Sequence, residues 1–275
     1  MCTVVKTNPQ NLVFSTQCCG FYAAKILAGN SAAQVIGVTN IGTFIQIEGH
    51  QILFVSGEVF CGPLTLNLSS MINFKALISL GEKCTLQKDR IAFDHCTILF
   101  DACTPIWQPP PIYFAQDSLQ PVYRRISCLA SALLTSYQDG MFLPFLEKTF
   151  RRSAREYSSQ ALCEENLSGL LPSLESDQPG DLSQRLLGLI GLGCGLTPAG
   201  DDFLVGFLLA SHYLNQIAPS SASEKELQDH IVQTARRKTT TLSAALMQCA
   251  AEGAADERLM NALDWLAQAN ADIQQ

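Results

Sequence analysis

Four prolines lie within the eleven residues TPIWQPPPIYF at positions 104–114. Because proline fixes its φ angle and has no backbone N–H, this segment can continue neither a helix nor a central strand. The spacing of apolar residues also differs on its two sides. We therefore predict a domain boundary here, which divides the 275-residue chain into a domain of residues 1–110 and a domain of residues 111–275.

The sequence before this segment has the pattern of short β-strands. The stretch VIGVTNIGTFIQIEGHQILFVSG is rich in β-branched and aromatic residues, and Glu48, Gly49 and His50 within it have the composition of a hairpin turn. Short strands at close spacing are typical of a small barrel or sandwich. Further strands are predicted at 64–68, 75–80, 84–88 and 97–101.

The sequence after the proline-rich segment has a helical period instead, with apolar residues three and four positions apart. The predicted fold class is therefore α+β, a β-rich N-terminal barrel or sandwich followed by an all-helical C-terminal domain. The predicted helical segments are 122–137, 142–154, 159–174, 181–190, 201–214, 223–237, 240–253 and 257–269.

Charge and cysteine content argue against several classes of protein. The net charge is -7 and no stripe of lysine and arginine alternates with aromatic residues, so nucleic acid is not an expected partner. The 11 cysteines are odd in number and lie mostly in apolar segments, which is typical of reduced cytoplasmic proteins. We recognise no signal peptide and no stretch of ~18 apolar residues that could span a membrane. The expected location is the cytoplasm.

The segment GLGCGLTPAGDD, residues 191–202, places four glycines and two adjacent aspartates directly before the apolar run FLVGFLLA. Thr197 is predicted to cap a helix that runs from about Pro198 to Asn215. The N-terminus of a helix attracts anions, and the glycine spacing resembles that of a phosphate loop. Asp201 and Asp202, however, stand where such a loop needs lysine and a hydroxyl residue, which argues against a nucleotide site.

Three interpretations of the two aspartates remain open. In the first, they are acids in the first turn that complement the helix dipole, while the glycines allow close packing. In the second, they hold a divalent cation such as Mg²⁺ that bridges to an anionic ligand. In the third, the loop amides donate to the carbonyl of a ureido or carbamoyl group, and Asp201 or Asp202 accepts from its NH₂.

The segment GLGCGLTPAGDDFLVGFLLA resembles the signature of the AllH family, Gly-x-Gly-Pro-Gly-Leu-Thr-Pro-Ser-x-Asp-Asp followed by an apolar helix. GPLTLNLS at 62–69 is similar to the family's Gly-Pro strand, and TTTLSAALMQCAAEG at 239–253 is similar to its later helix start rich in threonine and serine. This sequence departs from the family at Cys194, where proline is usual, and at Ala199, where serine is usual. It also lacks the second Gly-x-Thr-Ser-Gly-x-Asp stretch that many relatives carry.

This resemblance implies a subunit of oxamate carbamoyltransferase, which works with FdrA-like and AllG-like subunits and passes a carbamoyl group from oxalurate to phosphate. The expected function is a carbamoyltransferase subunit in ureide and purine breakdown, with oxalurate or carbamoyl phosphate as ligand. The alternative is a non-catalytic metabolite-binding or scaffold protein. The predicted ligand-binding residues are Gly193, Gly195, Thr197, Gly200, Asp201, Asp202 and Arg236.

Other residues have weaker claims to a function. Arg236 precedes a hydroxyl-rich segment, Thr239 to Ser243, and is the candidate for holding a carboxylate or phosphate, against the alternative of a solvated helix end. Cys194 lies in a setting that favours a thiolate, but a structural thiol is the preferred interpretation. We interpret His212, on the apolar helix, as a core histidine. His95 and Cys96 lack the ligand spacing of a zinc site.

Overall fold

The computed structural model describes residues 12–29, 31–48, 51–114, 119–136, 142–143, 146, 179–215 and 222–268. The chain divides into two compact units. One consists of Met1–Pro109 with Asp256–Arg258, and the other of Pro110–Ala255 with Leu259–Gln275. The predicted helical segment 159–174 lies outside the described residues, as does segment 142–154 except for positions 142, 143 and 146.

The first unit is a β-barrel. Eight strands pair in the order β5-β4-β3-β2-β6-β7-β8-β1, and β1 also pairs with β5, which closes the ring. The ninth strand pairs with the end of β1. The strands are β1 Leu12–Gly20, β2 Ser31–Val38, β3 Gly42–Ile47, β4 Gln51–Ser56, β5 Thr65–Leu68, β6 Lys83–Gln87, β7 Arg90–Ala92, β8 Cys96–Leu99 and β9 Ile106–Trp107.

The barrel interior is filled by alternate residues of the strands, because successive side chains of a strand point to opposite faces. In β6, for example, Cys84 and Leu86 are buried, whereas the residues between and beside them are exposed. The α+β prediction, with a β-rich barrel or sandwich first, is confirmed. Fully buried members of the core include Ile45, Leu53, Leu66, Phe74, Ile91 and Ile98.

The predicted strand at 75–80 is wrong. This region forms the short helix α2, Phe74–Leu77, because the side chain of Asn73 accepts a hydrogen bond from the backbone N–H of Ala76 and starts a helical turn. Phe74 is fully buried in the barrel core and anchors the turn. A first helix, α1 at Phe21–Leu27, follows β1 directly.

The described part of the second unit is helical, which agrees with the predicted period. None of its helices is both long enough and apolar enough to cross a membrane. In chain order the helices are α3 Leu119–Ser136, α4 Pro179–Leu189, α5 Ala199–Leu214, α6 Ala222–Lys238, α7 Thr241–Ala251 and α8 Glu257–Ala267, of which the first two residues of α8 belong to the first unit.

The predicted cap of α5 is wrong by one residue. Pro198, not Thr197, occupies the cap position, with φ -54° and ψ 144°, and no side chain caps the helix there. The fixed φ of proline suits this extended cap conformation. The backbone N–H groups of Asp201 and Asp202 donate to the carbonyl of Pro198, at 2.8 and 3.1 Å.

Candidate functional site

The glycine loop, Gly191–Pro198, connects α4 to α5 in the second unit. Gly191, Gly193 and Gly195 have φ angles of 77°, 120° and 97°, a region that residues with a side chain rarely adopt. Gly193 and Gly195 are exposed, and a Cβ atom at Gly195 would meet nothing within 4 Å. The tip of the loop therefore offers open backbone to solvent, and its glycines are required by conformation.

Asp201 is buried inside the chain, with only 1% of its surface exposed. Its Oδ1 accepts the backbone N–H of Gly191 at 2.7 Å, and its Oδ2 accepts a short hydrogen bond from the hydroxyl of Thr239. The carboxylate thus ties the start of the glycine loop to the junction between α6 and α7. These contacts correspond to a positioning role, whereas the sequence predicted that Asp201 contacts the ligand.

Asp202, the next residue, is exposed. Partial burial, followed by the charge of Asp201, raises the pKa of the Asp202 carboxyl. Because adjacent helix residues are about 100° apart around the axis, two neighbouring carboxylates can have opposite environments. Of the two predicted acids, Asp202 is therefore the one that a solute can reach.

The first amides of α5 are occupied within the chain. The N–H of Gly200 donates to the carbonyl of Leu192 at 2.9 Å, and the next two N–H groups donate to Pro198. A Cβ atom at Gly200 would lie 2.1 Å from the carbonyl oxygen of Leu189, so Gly200 allows α5 to pack closely on the end of α4. The cradle of helix-start amides that a phosphate loop requires is therefore not offered by these residues.

The α6–α7 junction binds the C-terminal part of the glycine loop through the carbonyl of Leu196. Thr240 donates its hydroxyl to the carbonyl of Leu196 at 2.6 Å, and Ser243 donates to the same carbonyl at 3.4 Å. Thr240 also caps α7 by accepting the N–H of Ser243 at 3.1 Å. We name the six residues that join the loop to this junction the loop cluster. Its members are Gly191, Leu196, Asp201, Thr239, Thr240 and Ser243.

Arg236 is exposed near the end of α6, and its Nη2 donates to Oε1 of Gln248 at 3.1 Å. Gln248 in turn donates a short hydrogen bond to Glu252, the residue after the end of α7. No described hydrogen bond joins Arg236 to the loop cluster. The hydroxyl groups after it, which the sequence associated with anion binding, donate to Asp201 and Leu196 instead.

The remaining candidates are resolved by burial and contacts. Cys194 is exposed at the loop tip, which does not support the preferred structural interpretation. The Nδ1 atom of His212 lies 3.1 Å from the carbonyl oxygen of Ala251, as expected for a satisfied core histidine. Cys96 is buried and His95 exposed, so they do not share a site. Among the described residues, no group of three or more metal-ligating His, Cys, Asp or Glu side chains occurs.

The sequence located both halves of the loop cluster but did not predict that they bind each other. The glycine loop and the threonine-rich helix start were each recognised, yet Thr239 and Asp201 lie 38 positions apart. Gly191 was also missed as a site residue. Its place as the first glycine of the motif was the one signal that could have indicated it.

Residues 189–275 match the model of the AllH family, described as oxamate carbamoyltransferase subunit AllH. The resemblance inferred from the sequence is thereby confirmed over this part of the chain, which includes the glycine loop and the whole loop cluster. No curated protein and no solved structure matches the chain.

Proposed function

We propose that this protein is a subunit of a carbamoyltransferase complex in ureide and purine breakdown, and that its glycine loop binds oxalurate or carbamoyl phosphate. The observation that carries the proposal is the family match, because the matched residues contain the loop and everything that holds it. The oxamate carbamoyltransferase named in the family description acts on carbamoyl compounds. The ligand class proposed for this chain follows from that name.

The chemistry of the exposed loop is suited to such a ligand. A carbamoyl group has a carbonyl oxygen that accepts hydrogen bonds and an NH₂ group that donates them. In our proposal the backbone amides around Gly193, Gly195 and Thr197 donate to the carbonyl oxygen. Asp202 accepts from the NH₂ group, and this hydrogen bond favours the ionised carboxylate over the protonated one.

The other predicted residues have separate roles in this proposal. Asp201 is a positioning residue that fixes the loop through Gly191 and Thr239. Gly200 allows the close approach of α5 to α4. Arg236 is retained as the candidate for the anionic end of the ligand, because guanidinium groups bind carboxylate and phosphate bidentately. In the alternative arrangement, Asp202 would hold Mg²⁺, which would meet the anionic end of the ligand, instead of accepting from the NH₂ group.

Titration calorimetry of the purified chain tests the ligand. We expect heat of binding with oxalurate or carbamoyl phosphate, and we expect Asp202→Asn to weaken binding about tenfold or more, as for one lost hydrogen bond to a charged group. Titrations with and without MgCl₂ separate a direct contact from a metal-bridged one.

Glu224→Gln is the matched control, since Glu224 is also an exposed carboxylate in the first turn of a helix. This variant should bind like the wild type. Equal affinity of Asp202→Asn and Glu224→Gln, or no binding of either compound to the wild-type chain, would refute the proposed site.

A scaffold role without a ligand is the second candidate, favoured by one observation. The carboxylate of Asp201, the hydroxyls of the α6–α7 junction and the first amides of α5 all bond within the chain. A loop anchored in this way could serve to hold a surface in shape. In that case the chain would bind neither compound but would still co-purify with FdrA-like and AllG-like subunits, the partners that we propose for it in the cytoplasm.

A further inference from the structure

Two cysteines lie on neighbouring segments of the barrel unit, Cys18 in β1 and Cys61 in the loop between β4 and β5. Both side chains are half-buried, and neither takes part in a disulfide. Neither residue belongs to the glycine loop or to its contacts. The pair is therefore a feature that the proposed function leaves unexplained.

The chain before Cys61 is fixed to the strand next to Cys18. Cys18 is paired with Asn67 of β5 in the antiparallel ladder. The buried side chain of Asn67 donates to the carbonyl oxygen of Phe60 at 2.7 Å and to that of Glu58 at 2.9 Å. Asn67, the residue of β5 opposite Cys18, thus binds Phe60, the residue that precedes Cys61.

The chain after Cys61 packs on the end of β1. A Cβ atom at Gly20 would lie only 2.0 Å from the carbonyl oxygen of Gly62, so the two backbones are in direct contact. The N–H groups of Tyr22 and Ala23 both donate to the carbonyl of Pro63 at 3.0 Å. With contacts on both sides, the backbone holds the segment of Cys61 next to that of Cys18.

We propose that Cys18 and Cys61 are a redox-active pair that a low-molecular-weight disulfide, such as glutathione disulfide, oxidises to an intramolecular disulfide. The thiol of Cys18 loses its proton to solvent and its sulfur attacks glutathione disulfide, whose S–S bond breaks and releases one glutathione thiolate, which takes up a proton from solvent. The sulfur of Cys61 loses its proton to solvent, attacks the sulfur of Cys18 and releases the second glutathione. Two protein S–H bonds are exchanged for one protein S–S bond, and glutathione disulfide is reduced to two thiols.

The order of the two steps follows from the surroundings of the thiols. Burial, followed by the hydrogen bond with Cys18, raises the pKa of the Cys61 thiol to about 12. A protonated thiol is a poor nucleophile, so Cys61 acts second, on a sulfur already held beside it. The product ties β1 to a loop in which the backbone N–H of Cys61 donates to Oε2 of Glu257 and the backbone N–H of Glu257 donates to the carbonyl of Cys61, both at 2.9 Å.

Peptide mapping by mass spectrometry tests the proposal on the full wild-type chain. The protein is incubated with glutathione disulfide, its remaining thiols are alkylated, and it is digested without reduction. We expect one linked peptide pair that contains Cys18 and Cys61. The exposed thiols of Cys103, Cys128 and Cys194 should carry glutathione or alkyl groups instead. Mixed glutathione adducts on Cys18 or Cys61 without a link between them would overturn the proposal.

Thermal unfolding gives a second readout. Oxidation should raise the melting temperature of the barrel unit by about 5 °C or more, because the new bond constrains the unfolded chain. The rise should disappear in Cys61→Ser and be retained in Cys103→Ser, a control at an exposed cysteine. A rise of equal size in Cys61→Ser would assign the effect to another pair and contradict the proposal.

Discussion

The barrel and the glycine loop satisfy their backbone polar groups in different ways. In the barrel, neighbouring strands pair their N–H and C=O groups with each other, as β3 does with β4 along its whole length. In the loop, side chains provide the partners, since Asp201 accepts the N–H of Gly191 and Thr240 donates to the carbonyl of Leu196. A side-chain substitution in the barrel should therefore cost packing, whereas one in the loop cluster should also leave partly buried backbone groups without a partner in the chain.

The largest effect is expected at Asp201. Asp201→Ala removes two hydrogen bonds to a buried charged group and should lower the free energy of unfolding by roughly 3–5 kcal/mol. Asp202→Ala, next to it but exposed, should change it by less than about 0.5 kcal/mol. Denaturant titration of both variants measures the difference. Similar values for the two would show that the loop does not depend on a side-chain acceptor.

A packing substitution in the barrel comes next. Leu53 is fully buried in the core, so Leu53→Ala should lower the free energy of unfolding by about 2–5 kcal/mol. Leu53→Met keeps the volume and should cost less than about 1.5 kcal/mol. If Leu53→Met cost as much as Leu53→Ala in denaturant titration, the cost in the barrel would not come from lost packing. The contrast with the loop cluster would then fail.

A moderate effect is expected at Thr240. Thr240→Ala removes the cap of α7 and the hydrogen bond to Leu196, at a cost of about 1–2 kcal/mol. Thr240→Ser retains a hydroxyl and serves as the matched control. Hydrogen exchange should show faster exchange of the Ser243 amide in Thr240→Ala alone. Unchanged protection there would mean that the hydroxyl does not hold the junction.

The smallest effect is a pH dependence at Asp202. Its raised pKa means that the folded state binds the proton more tightly than the unfolded state, so its contribution to stability falls as the pH rises from the ordinary value of the carboxyl to the folded one. Asp202→Asn should therefore be slightly more stable than the wild type at neutral pH, by less than about 0.5 kcal/mol. Below the ordinary pKa the two should melt alike. If Asp202→Asn were more stable than the wild type only in acid, folding would lower the pKa of the Asp202 carboxyl and not raise it.

Much of the fold could be predicted from local patterns. The proline-rich segment and the change of apolar spacing indicated a β-rich region followed by helices. Strands with clear alternation, such as β6, were placed within one residue. The segment at 75–80 was misassigned because apolar content alone does not separate a strand from a helical turn, and the cap at Asn73 decided the outcome.

The candidate site was predicted less completely. The sequence identified the glycine loop, the two acids and the hydroxyl-rich helix start, but it left open whether the acids bind a ligand or complement the helix dipole, and it predicted no contact among these groups. In the structure one acid and two of the threonines bind each other or the loop. Such pairings between distant positions depend on how α5, α6 and α7 pack, and no local pattern specifies that packing.

Local sequence was sufficient to predict that strands are followed by helices and that a glycine loop precedes α5, because proline, glycine and apolar spacing act over a few neighbouring residues. That Asp201 is buried and Asp202 exposed, and that the segment of Cys61 lies next to that of Cys18, follows only from the packing of distant elements. Burial of a side chain depends on which surface another element covers. Those covering elements, the α6–α7 junction and the loop after β4, come from distant parts of the chain.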